Sequence, residues 1–375
     1  MPDAGYGGPE PVDRRYDNPD FIACYDNLTA WAKTMDRLGY DTMWLTEHHF
    51  QYEGYEVTPN LILFGLHLAK ETERLRLGQM FNVVPQWHPL RLAEDAAMMQ
   101  ILTNNRMQFG VGRGTVPREA QSLGGVVASG DNEMSAELDR VNRELFEESM
   151  EIIKEAWHNE RFSFTGKHFV LPPPGIPDRG STVQDLTLIP KPIAPIDIWQ
   201  AVTSPATLDY TARVRHLAVM PARGPQQTKD WWDLYGQRAA ESGWDIKQGE
   251  ARCLALNAHV AHTTEAAMNG VRNAHDEWIK FLSPYGRFRS YAMPDGSETP
   301  FDHKPSLEDS MDQQIMAIGS VEQVADTMGR YRDEVGVEHF VLFFDMPGLT
   351  REAMDEQLEM MASEVLPRIG VNLNS

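Results

Sequence analysis

Apolar residues recur along the chain at helical spacing in some stretches and in short β-prone runs in others. The first helical stretch lies between Asn18, which can cap a helix, and Gly39, which can end one. Its apolar face contains Phe21, Tyr25, Leu28, Ala32, Met35 and Leu38. A β-prone run at residues 42–46 follows directly. The pattern predicts a helix that leads straight into a strand.

The same alternation continues to the end of the chain. Strand-like runs are centred near residues 43, 77, 109, 199, 218, 256 and 341. Strands and helices that alternate with short links are typical of parallel βα units, which form a barrel or an open sheet. An eight-stranded βα barrel needs ~250 residues plus insertions, which fits a chain of 375 residues. The predicted fold class is α/β, a TIM-type (β/α)8 barrel with insertions.

One strand of such a barrel is not visible in the pattern, and it should precede the helix at Asn18. Residues 1–16 are rich in Gly, Pro and charge and carry no apolar periodicity. Either an extended segment is hidden there, or the chain as given starts late and lacks the first strand. We therefore expect a first strand that is missing or irregular.

Two stretches interrupt the alternation. Residues from about 115 to 195 contain a glycine-rich loop at 116–130, a charged helix at 133–158, a hairpin at 161–171 and a proline-rich tail. A second irregular insertion spans about 276–316. Loops of this length are usually functional or disordered. The whole chain, residues 1–375, is predicted to be a single barrel domain that carries both insertions.

The amino-acid composition indicates which cellular compartment and which kinds of partner to expect. Two cysteines cannot form a disulfide framework, and no N-terminal apolar run resembles a signal peptide or a membrane span. A cytoplasmic location is expected. The net charge of -21 argues against nucleic acid and anionic membranes as partners, because both would be repelled at long range.

Titratable side chains cluster where the first predicted strand ends, because residues 41–50 read DTMWLTEHHF and include Glu47, His48 and His49. In α/β folds the carboxyl ends of the strands face the ligand crevice. Adjacent histidines are, without further context, more often ordinary polar loop residues. Successive residues of a strand project to opposite faces, so His48 and His49 could not bind one ion while the strand persists. No metal site is predicted.

Other chemical motifs are weak. The segment GVGRGT at residues 110–115 has Thr115 where a dinucleotide loop has its third glycine, so that match fails. Neither a Walker loop nor a zinc-spaced set of Cys and His is present. Composition leaves a Ser-His-Asp triad open, although no G-x-S-x-G elbow marks a nucleophile.

Taken in order, these segments resemble the bacterial luciferase-like, flavin-dependent monooxygenases. The resemblance rests on GYDTMWLTEHHF, LRLGQMFNVVPQWHPLRLAEDAAMMQIL, RMQFGVGRGT, the SFTGKHF hairpin and IDIWQAVTSPAT. It covers most of residues 18–370 and is dense from residue 39 to residue 114. It implies a βα barrel with an insertion after the fourth strand, in which reduced FMN binds at the carboxyl end of the strands. There it reacts with O2 to a C4a-hydroperoxyflavin that oxidises a small organic substrate.

The resemblance also implies a site for the FMN phosphate. Arg113 matches the arginine that meets the phosphate, and Thr203, Ser204 and Thr207 match the strand-to-helix turn that completes the site. Backbone N–H groups at a helix start and one guanidinium are suited to a dianion. Helix capping is the plain alternative for Ser204 and Thr207.

Five more positions match the surroundings of the flavin ring. Met80 and Phe81 match the strand end under the isoalloxazine, where some members have a non-proline cis peptide. Glu47, His48 and His88 match polar residues around the ring. His48 occupies the position given the catalytic role in luciferase itself, so His48 and Glu47 are the catalytic candidates.

The function implied is an FMN-dependent monooxygenase that acts on a small-molecule substrate and O2. The family further implies a separate flavin reductase that supplies reduced FMN, and a homodimer. One alternative is an F420-dependent oxidoreductase on the same fold, although the Glu-His-His strand end favours FMN. The other is a non-catalytic flavin-binding or partner subunit, against which the presence of both His48 and Arg113 argues.

Overall fold

The computed structural model describes residues 5–128 and 133–373, over which helices and strands alternate. The helices are α1 (Asn18–Leu38), α2 (Leu61–Glu71), α3 (Pro89–Leu102), α4 (Pro117–Ser122), α5 (Glu133–His158), α6 (Pro205–Arg213), α7 (Pro225–Glu241), α8 (Thr264–Leu282), α9 (Leu307–Asp312), α10 (Val321–Arg330) and α11 (Arg351–Met360). The strands are β1 (Thr42–Leu45), β2 (Arg76–Gln79), β3 (Asn82–Val83), β4 (Met107–Gly112), β5 (Phe164–Thr165), β6 (Val170–Leu171), β7 (Pro177–Asp178), β8 (Ser181–Thr182), β9 (Ile198–Ala201), β10 (Leu217–Pro221), β11 (Arg252–Ala261), β12 (Met316–Ser320) and β13 (Phe340–Phe343). Among the residues described, no helix is both long and apolar enough to cross a membrane.

The main sheet is parallel and curls into a nearly closed barrel. Its order is β1-β2-β4-β9-β10-β11-β12, with β13 also paired to β11 and the short β3 paired to β4. The seven predicted strands are all present, and helices surround them. The predicted class, an α/β barrel of the TIM type, is confirmed.

An additional parallel strand, β12, lies at the end of the stretch that was expected to be an irregular insertion. It pairs with the carboxyl half of β11, from Asn257 to Ala261, whereas β13 pairs with β11 from Leu254 to Asn257. The sequence of β12, MAIGS, is short and contains small residues, so it reads as a loop. The ten-residue length of β11 provides the backbone edge that turns this loop into a strand. Helix α8 also extends into the expected insertion, as far as Leu282.

No strand precedes α1 in residues 5–17, where the structure describes only a short 3-10 helix, Pro11–Asp13. This agrees with a first strand that is missing or irregular; residues 1–4 of that predicted segment lie outside the described residues. Helix α1 itself is capped by Asp17 rather than Asn18. The Asp17 Oδ1 accepts the Asp20 N–H at 3.3 Å, and the Asp20 carboxylate accepts the Asp17 N–H at 3.1 Å.

The outer ring of helices crosses the open edge between β13 and β1. Tyr40, just after α1, donates its hydroxyl to the Leu358 carbonyl of α11 at 2.8 Å. Thr34 of α1 donates to the Asp355 carboxylate of α11 at 3.0 Å. Trp31 of α1 is buried among the residues of the large core cluster that α11 also enters. Helix contacts therefore join the two ends of the sheet, between which the described residues form no strand pairing.

Strand side chains alternate between the helix layer and the barrel interior, as expected for parallel strands wrapped by helices. The interior cluster consists of Trp44, Met80, Phe81, Trp199, Val219, Cys253, Ala255, Val341 and Phe343. Trp44 and Trp199 meet edge to face at 5.8 Å, and the Trp199 indole N–H donates to Gln108 at 2.9 Å. Both rings remain half-buried. The interior thus keeps accessible aromatic surface.

Glycine makes room for these rings. A Cβ at Gly78 would collide with the Trp44 ring, and a Cβ at Gly110 would collide with the Gln79 carbonyl oxygen. Any larger residue at either position would push a strand or a tryptophan out of place.

Candidate active site

Glu47, one of the two catalytic candidates, lies beyond the carboxyl end of β1, and its carboxylate has several polar partners. Its carboxylate accepts the Val83 N–H at 3.1 Å and the Trp87 indole N–H at 3.1 Å, and it meets the His49 Nε2 at 3.1 Å. The side chain is 0% exposed. Glu47 therefore anchors the end of β1 to β3 and to the turn before α3, and it is not open to a ligand.

His48, the other candidate, is held between two carboxylates. Its Nδ1 lies 3.0 Å from the Glu119 Oε1, and its Nε2 contacts the Glu56 Oε2. The backbone N–H of His48 donates to the Thr58 carbonyl at 3.3 Å. The imidazole is 22% exposed, so one part of it remains accessible.

The electrostatics of His48 follow from these neighbours. Burial by itself lowers the pKa of the imidazole, but the Glu56 and Glu119 carboxylates outweigh it and raise the pKa to about 10. Burial raises the pKa of the Glu119 carboxyl, while bonding to His48 and Gln51 brings it below its ordinary value. At neutral pH the imidazole is thus positively charged and Glu119 negatively charged.

Glu119 was missed in the sequence because residues 116–130 read as a glycine-rich loop. The structure places it on the short helix α4, where it is only 3% exposed and accepts the Gln51 amide N–H at 2.5 Å. The neighbouring Arg118 donates to the Glu53 carboxylate at 2.6 Å and to the side-chain amide oxygen of Gln51 at 3.2 Å. The only sequence signal was Pro117 followed by charged residues, a weak helix start.

The N-terminal segment reaches the same region. Arg15 stacks 3.6 Å above the Tyr52 ring, and Arg118 lies 4.8 Å from that ring. The segment is also fastened to α8, because Arg14 bonds to the buried Glu277, the Gly5 N–H donates to the same carboxylate at 3.1 Å, and Lys280 donates to the Gly5 carbonyl at 2.7 Å. Residues 5–16 therefore run from α8 to the loop beside His48.

Asp345 and Tyr55 complete the charged side of the barrel mouth. Asp345 follows the carboxyl end of β13 and is an exposed residue. Partial desolvation and the charge of Glu56 raise the pKa of its carboxyl to about 6. Tyr55 stacks on Phe281 with ring centroids 3.9 Å apart. Burial raises the pKa of Tyr55 well above its ordinary value. Neither residue was a candidate from the sequence.

Met80, Phe81 and His88 lie on another part of the mouth. Met80 and Phe81 are joined by a cis peptide bond, as the resemblance implied. Met80 is buried and Phe81 half-buried. His88 caps α3 by accepting the Leu90 N–H at 3.3 Å, and its ring meets Phe169 of the hairpin edge to face at 5.8 Å.

Arg113 bonds to helix α5 in the described chain. Its Nη1 donates to the Asp139 carboxylate at 2.8 Å and to the side-chain amide oxygen of Asn142 at 3.2 Å. The Arg113 side chain is 21% exposed. Only Nη1 takes part in these bonds. The other N–H donors of the guanidinium point to no partner among the residues described.

Thr203, Ser204 and Thr207 form the turn that opens α6. The Ser204 hydroxyl accepts the Thr207 N–H at 3.3 Å and lies 2.9 Å from the Thr207 hydroxyl. The Thr203 carbonyl accepts Arg223 Nη2 at 3.2 Å. Capping, the plain alternative for Ser204 and Thr207, is therefore present, and it leaves lone pairs on both hydroxyls for a further partner.

Arg113 and the turn that opens α6 belong to segments whose helices, α5 and α6, are neighbours. Phe146 of α5 and Tyr210 of α6 meet edge to face at 6.0 Å. Arg113 and Arg213 both act on Glu147 of α5: desolvation raises the pKa of Glu147, and their charges oppose that rise. Strands β4 and β9 are parallel neighbours, with Val111 opposite Gln200, so Arg113 and the start of α6 follow adjacent strand ends. No hydrogen bond joins them within the described chain.

The residues present fit a flavin mononucleotide. Half-buried aromatic rings of the barrel interior offer apolar surface to a flat ring system. The buried side-chain oxygens of Asn82 and Gln86 have no hydrogen-bond partner in the described residues, so they can accept N–H donors. Arg113 and the hydroxyls of the α6 turn suit a phosphate.

Characterised proteins are similar to this chain over nearly its whole length. A 4-hydroxyprotoasukamycin monooxygenase of Streptomyces nodosus subsp. asukaensis is 26% identical over 361 residues. The match covers 92% of this chain and 89% of the relative. The oxygenase component of the flavin-dependent trigonelline monooxygenase of Acinetobacter baylyi is 25% identical over 353 residues, again 92% and 89%.

Solved structures share the fold. The oxygenating constituent of 3,6-diketocamphane monooxygenase from Pseudomonas putida, in complex with FMN, superimposes with a TM-score of 0.73 at 20% identity, covering 94% of this chain and 95% of its own. An F420-dependent secondary alcohol dehydrogenase gives a TM-score of 0.64 at 14% identity, covering 93% and 95%. The sequence profile of the luciferase-like monooxygenases matches residues 10–339. The chain therefore belongs to the luciferase-like monooxygenase family.

Proposed function

We propose that the protein is the oxygenase component of a two-component, FMN-dependent monooxygenase. In this proposal a separate flavin reductase supplies reduced FMN, and the enzyme inserts one oxygen atom of O2 into a small organic substrate. The chemistry that reduced FMN supplies is the activation of O2 as a C4a-hydroperoxide. The observation that carries the proposal is His48, held between two carboxylates at the rim of an aromatic barrel interior.

The chain's own residues divide the work. Met80 and Phe81 belong to the apolar floor, His88 to the rim beside the hairpin, and Arg113 to the phosphate side. Thr203, Ser204 and Thr207 add hydroxyls and the N-terminus of α6 to that side. His48 exchanges a proton with the reacting oxygen, a task for which imidazole is suited. Glu47 holds the end of β1 in place for it.

The direct test is to mix the purified protein, loaded with reduced FMN, with oxygenated buffer in a stopped-flow spectrometer. A slowly decaying hydroperoxyflavin spectrum, absent with free FMN, is the expected result. Immediate reoxidation at the rate of free FMN, with equilibrium dialysis showing bound flavin, would contradict the proposal. Reduction of F420 by an alcohol would instead establish the F420 alternative, and binding without either reaction would establish the passive flavin-binding subunit.

The homodimer expected from the family has a candidate interface in α2 and α3. Leu63 of α2 is 68% exposed, and Met98 and Leu102 of α3 are 45% and 48% exposed. Large apolar side chains so exposed on neighbouring helices are typical of association surfaces. We propose that a second copy covers them.

Light scattering tests this interface. The wild type should have twice the mass of one chain, and Leu63→Lys together with Met98→Lys should reduce it to one chain. Ile22→Lys on α1, an apolar side chain that is 56% exposed, serves as the matched control. A monomeric wild type, or dimers that survive the double change, would contradict the proposal. The cytoplasmic location stays a prediction.

A further inference from the structure

We propose that Glu56 and Glu119 are positioning residues that hold His48 as an imidazolium, so that His48 enters the reaction as a proton donor rather than as a base. The part that concerns the reaction rests on the function proposed above. The part that concerns the charge state of His48 does not.

His48 meets a carboxylate at each of its two ring nitrogens. Nδ1 lies 3.0 Å from a Glu119 oxygen, and Nε2 contacts a Glu56 oxygen. A neutral imidazole has one N–H and one lone pair, and the lone pair would then point at a carboxylate oxygen. Only the imidazolium offers an N–H to both carboxylates. The geometry therefore favours the charged ring.

The two carboxylates come from separate segments, and Glu119 is held independently of His48. Glu119 is buried on α4 and accepts the Gln51 amide, while α4 is tied down by the ion pair of Arg118 with Glu53. Glu56 lies in the loop between β1 and α2 and is 24% exposed. Rotating the imidazole away would break both contacts at once, so the ring is fixed as well as charged.

Charged groups from several elements face this cluster. Arg118 and Glu53 neutralise each other at 2.6 Å, and Asp345 adds a further carboxyl that interacts with Glu56. Arg287, from the second insertion, is a cation that interacts with Glu56. Carboxyl groups outnumber cations here, which agrees with the raised pKa of His48.

A proton donor at this place has a defined path. The Nε2–H bond of His48 breaks as its proton passes to the Glu56 carboxylate, and the same proton then forms an O–H bond on the anionic oxygen of the reacting species. A neutral imidazole remains, with its N–H on Nδ1 facing Glu119. Water then returns the proton through Glu56, the more exposed of the two carboxylates. Glu119 is buried and keeps the ring oriented throughout.

The test is an NMR titration of the flavin-free protein labelled with 15N-histidine. The His48 signals are assigned by their loss in His48→Gln. In the wild type the ring should stay protonated beyond pH 8. Glu119→Gln and Glu56→Gln should each lower its pKa by at least one unit, because the amides keep the shape of the side chains without the charge. Glu94→Gln, on the exposed face of α3, is the control and should leave the titration unchanged.

A wild-type His48 that titrates near its ordinary pKa would overturn the proposal, and so would Gln variants that do not move it. Should Glu119→Gln fail to fold, the wild-type titration and the loop variant Glu56→Gln still decide the matter.

Turnover measured against pH tests the reaction step. The rate should fall at high pH as His48 loses its proton, and Glu56→Gln should shift that fall to lower pH. A shifted titration without a shifted rate profile would overturn the role as donor. A protein that shows the titration but never oxidises a substrate would disprove the proposed function and leave the charge state standing.

Discussion

Among single residues, His48 combines a constrained position with a partly open face. We expect His48→Ala to keep FMN affinity within a few fold while slowing turnover by ~10²- to 10⁴-fold, the usual loss for a positioned acid or base. Flavin fluorescence titration and steady-state kinetics measure the two quantities. His158→Ala at the exposed end of α5 is the control. A loss of turnover no larger than the loss of affinity would make His48 a structural residue.

Within the part of the chain that the structure describes, Arg113 bonds through Nη1 only, to Asp139 and Asn142, and its other N–H donors have no partner there. Arg113→Ala should weaken FMN more than riboflavin, because only FMN carries the phosphate, and the difference should be about 1.5 to 3 kcal/mol. Arg143→Ala is the matched control, since Arg143 pairs with the same Asp139 at 2.6 Å. Isothermal titration of both ligands measures the difference, and equal losses for FMN and riboflavin would show that the phosphate lies elsewhere.

Asp345 should make stability depend on pH. Its pKa is raised from 3.8 to about 6, so the folded state binds the proton more tightly than the unfolded state does. Stability is therefore lost as the pH rises through about 6. Asp345→Asn should raise the free energy of unfolding at pH 8, by at most about 1 kcal/mol after solvent screening, and should have little effect at pH 4. Urea unfolding at both pH values measures this, and an equal effect at both would contradict it.

Among the elements, the N-terminal segment depends on one buried ion pair. The side chains of Arg14 and Glu277 are 8% and 2% exposed, so removing the guanidinium takes one charged partner from a buried carboxylate and leaves it Lys280 and the Gly5 N–H. Arg14→Ala should lower the free energy of unfolding by about 3 kcal/mol, as for other broken buried pairs. Arg37→Ala breaks an exposed pair with Glu359 and should cost less than about 1 kcal/mol. Similar losses in the two variants would show that the segment is not anchored at Arg14.

Helix α4 shows why an element can be chemically important and yet hard to predict. It has only six residues and lies in a glycine-rich stretch, so it has no apolar repeat to reveal it. Its position follows from contacts with the loop after β1, through Gln51 and Glu53. Those contacts bring Glu119 to His48.

At the scale of the whole molecule, the barrel has two sheet ends that strand pairing does not join in the described chain. A strand at such an end has a strand neighbour on one side only, so its backbone amides become exposed to solvent when fewer hydrogen bonds break. Hydrogen exchange should therefore be faster in β1 and β13 than in the central strands β9 and β10. Mass spectrometry of peptides from these strands measures the difference, and uniform protection would indicate that the two ends are sealed by other contacts.

The sequence by itself determined what depends on neighbours in the chain. The end of the first predicted strand made His48 a candidate site residue, and the family resemblance did so for Arg113. Helical spacing predicted α1 and α5, and β-prone runs predicted seven parallel strands. These predictions succeed because side-chain periodicity and chain direction are local properties, and parallel strands bring their carboxyl ends to one face.

Only the tertiary structure decided which side chains meet. His48 and Glu119 are 71 positions apart, and β12 became a strand because a long β11 offered it an edge. Glu47 looked like a catalytic partner of His48, yet folding buried it under Val83 and Trp87. Such contacts depend on how whole elements pack, and no spacing along the chain encodes them. The chemistry proposed for His48 therefore rests on two carboxylates that packing brings to it.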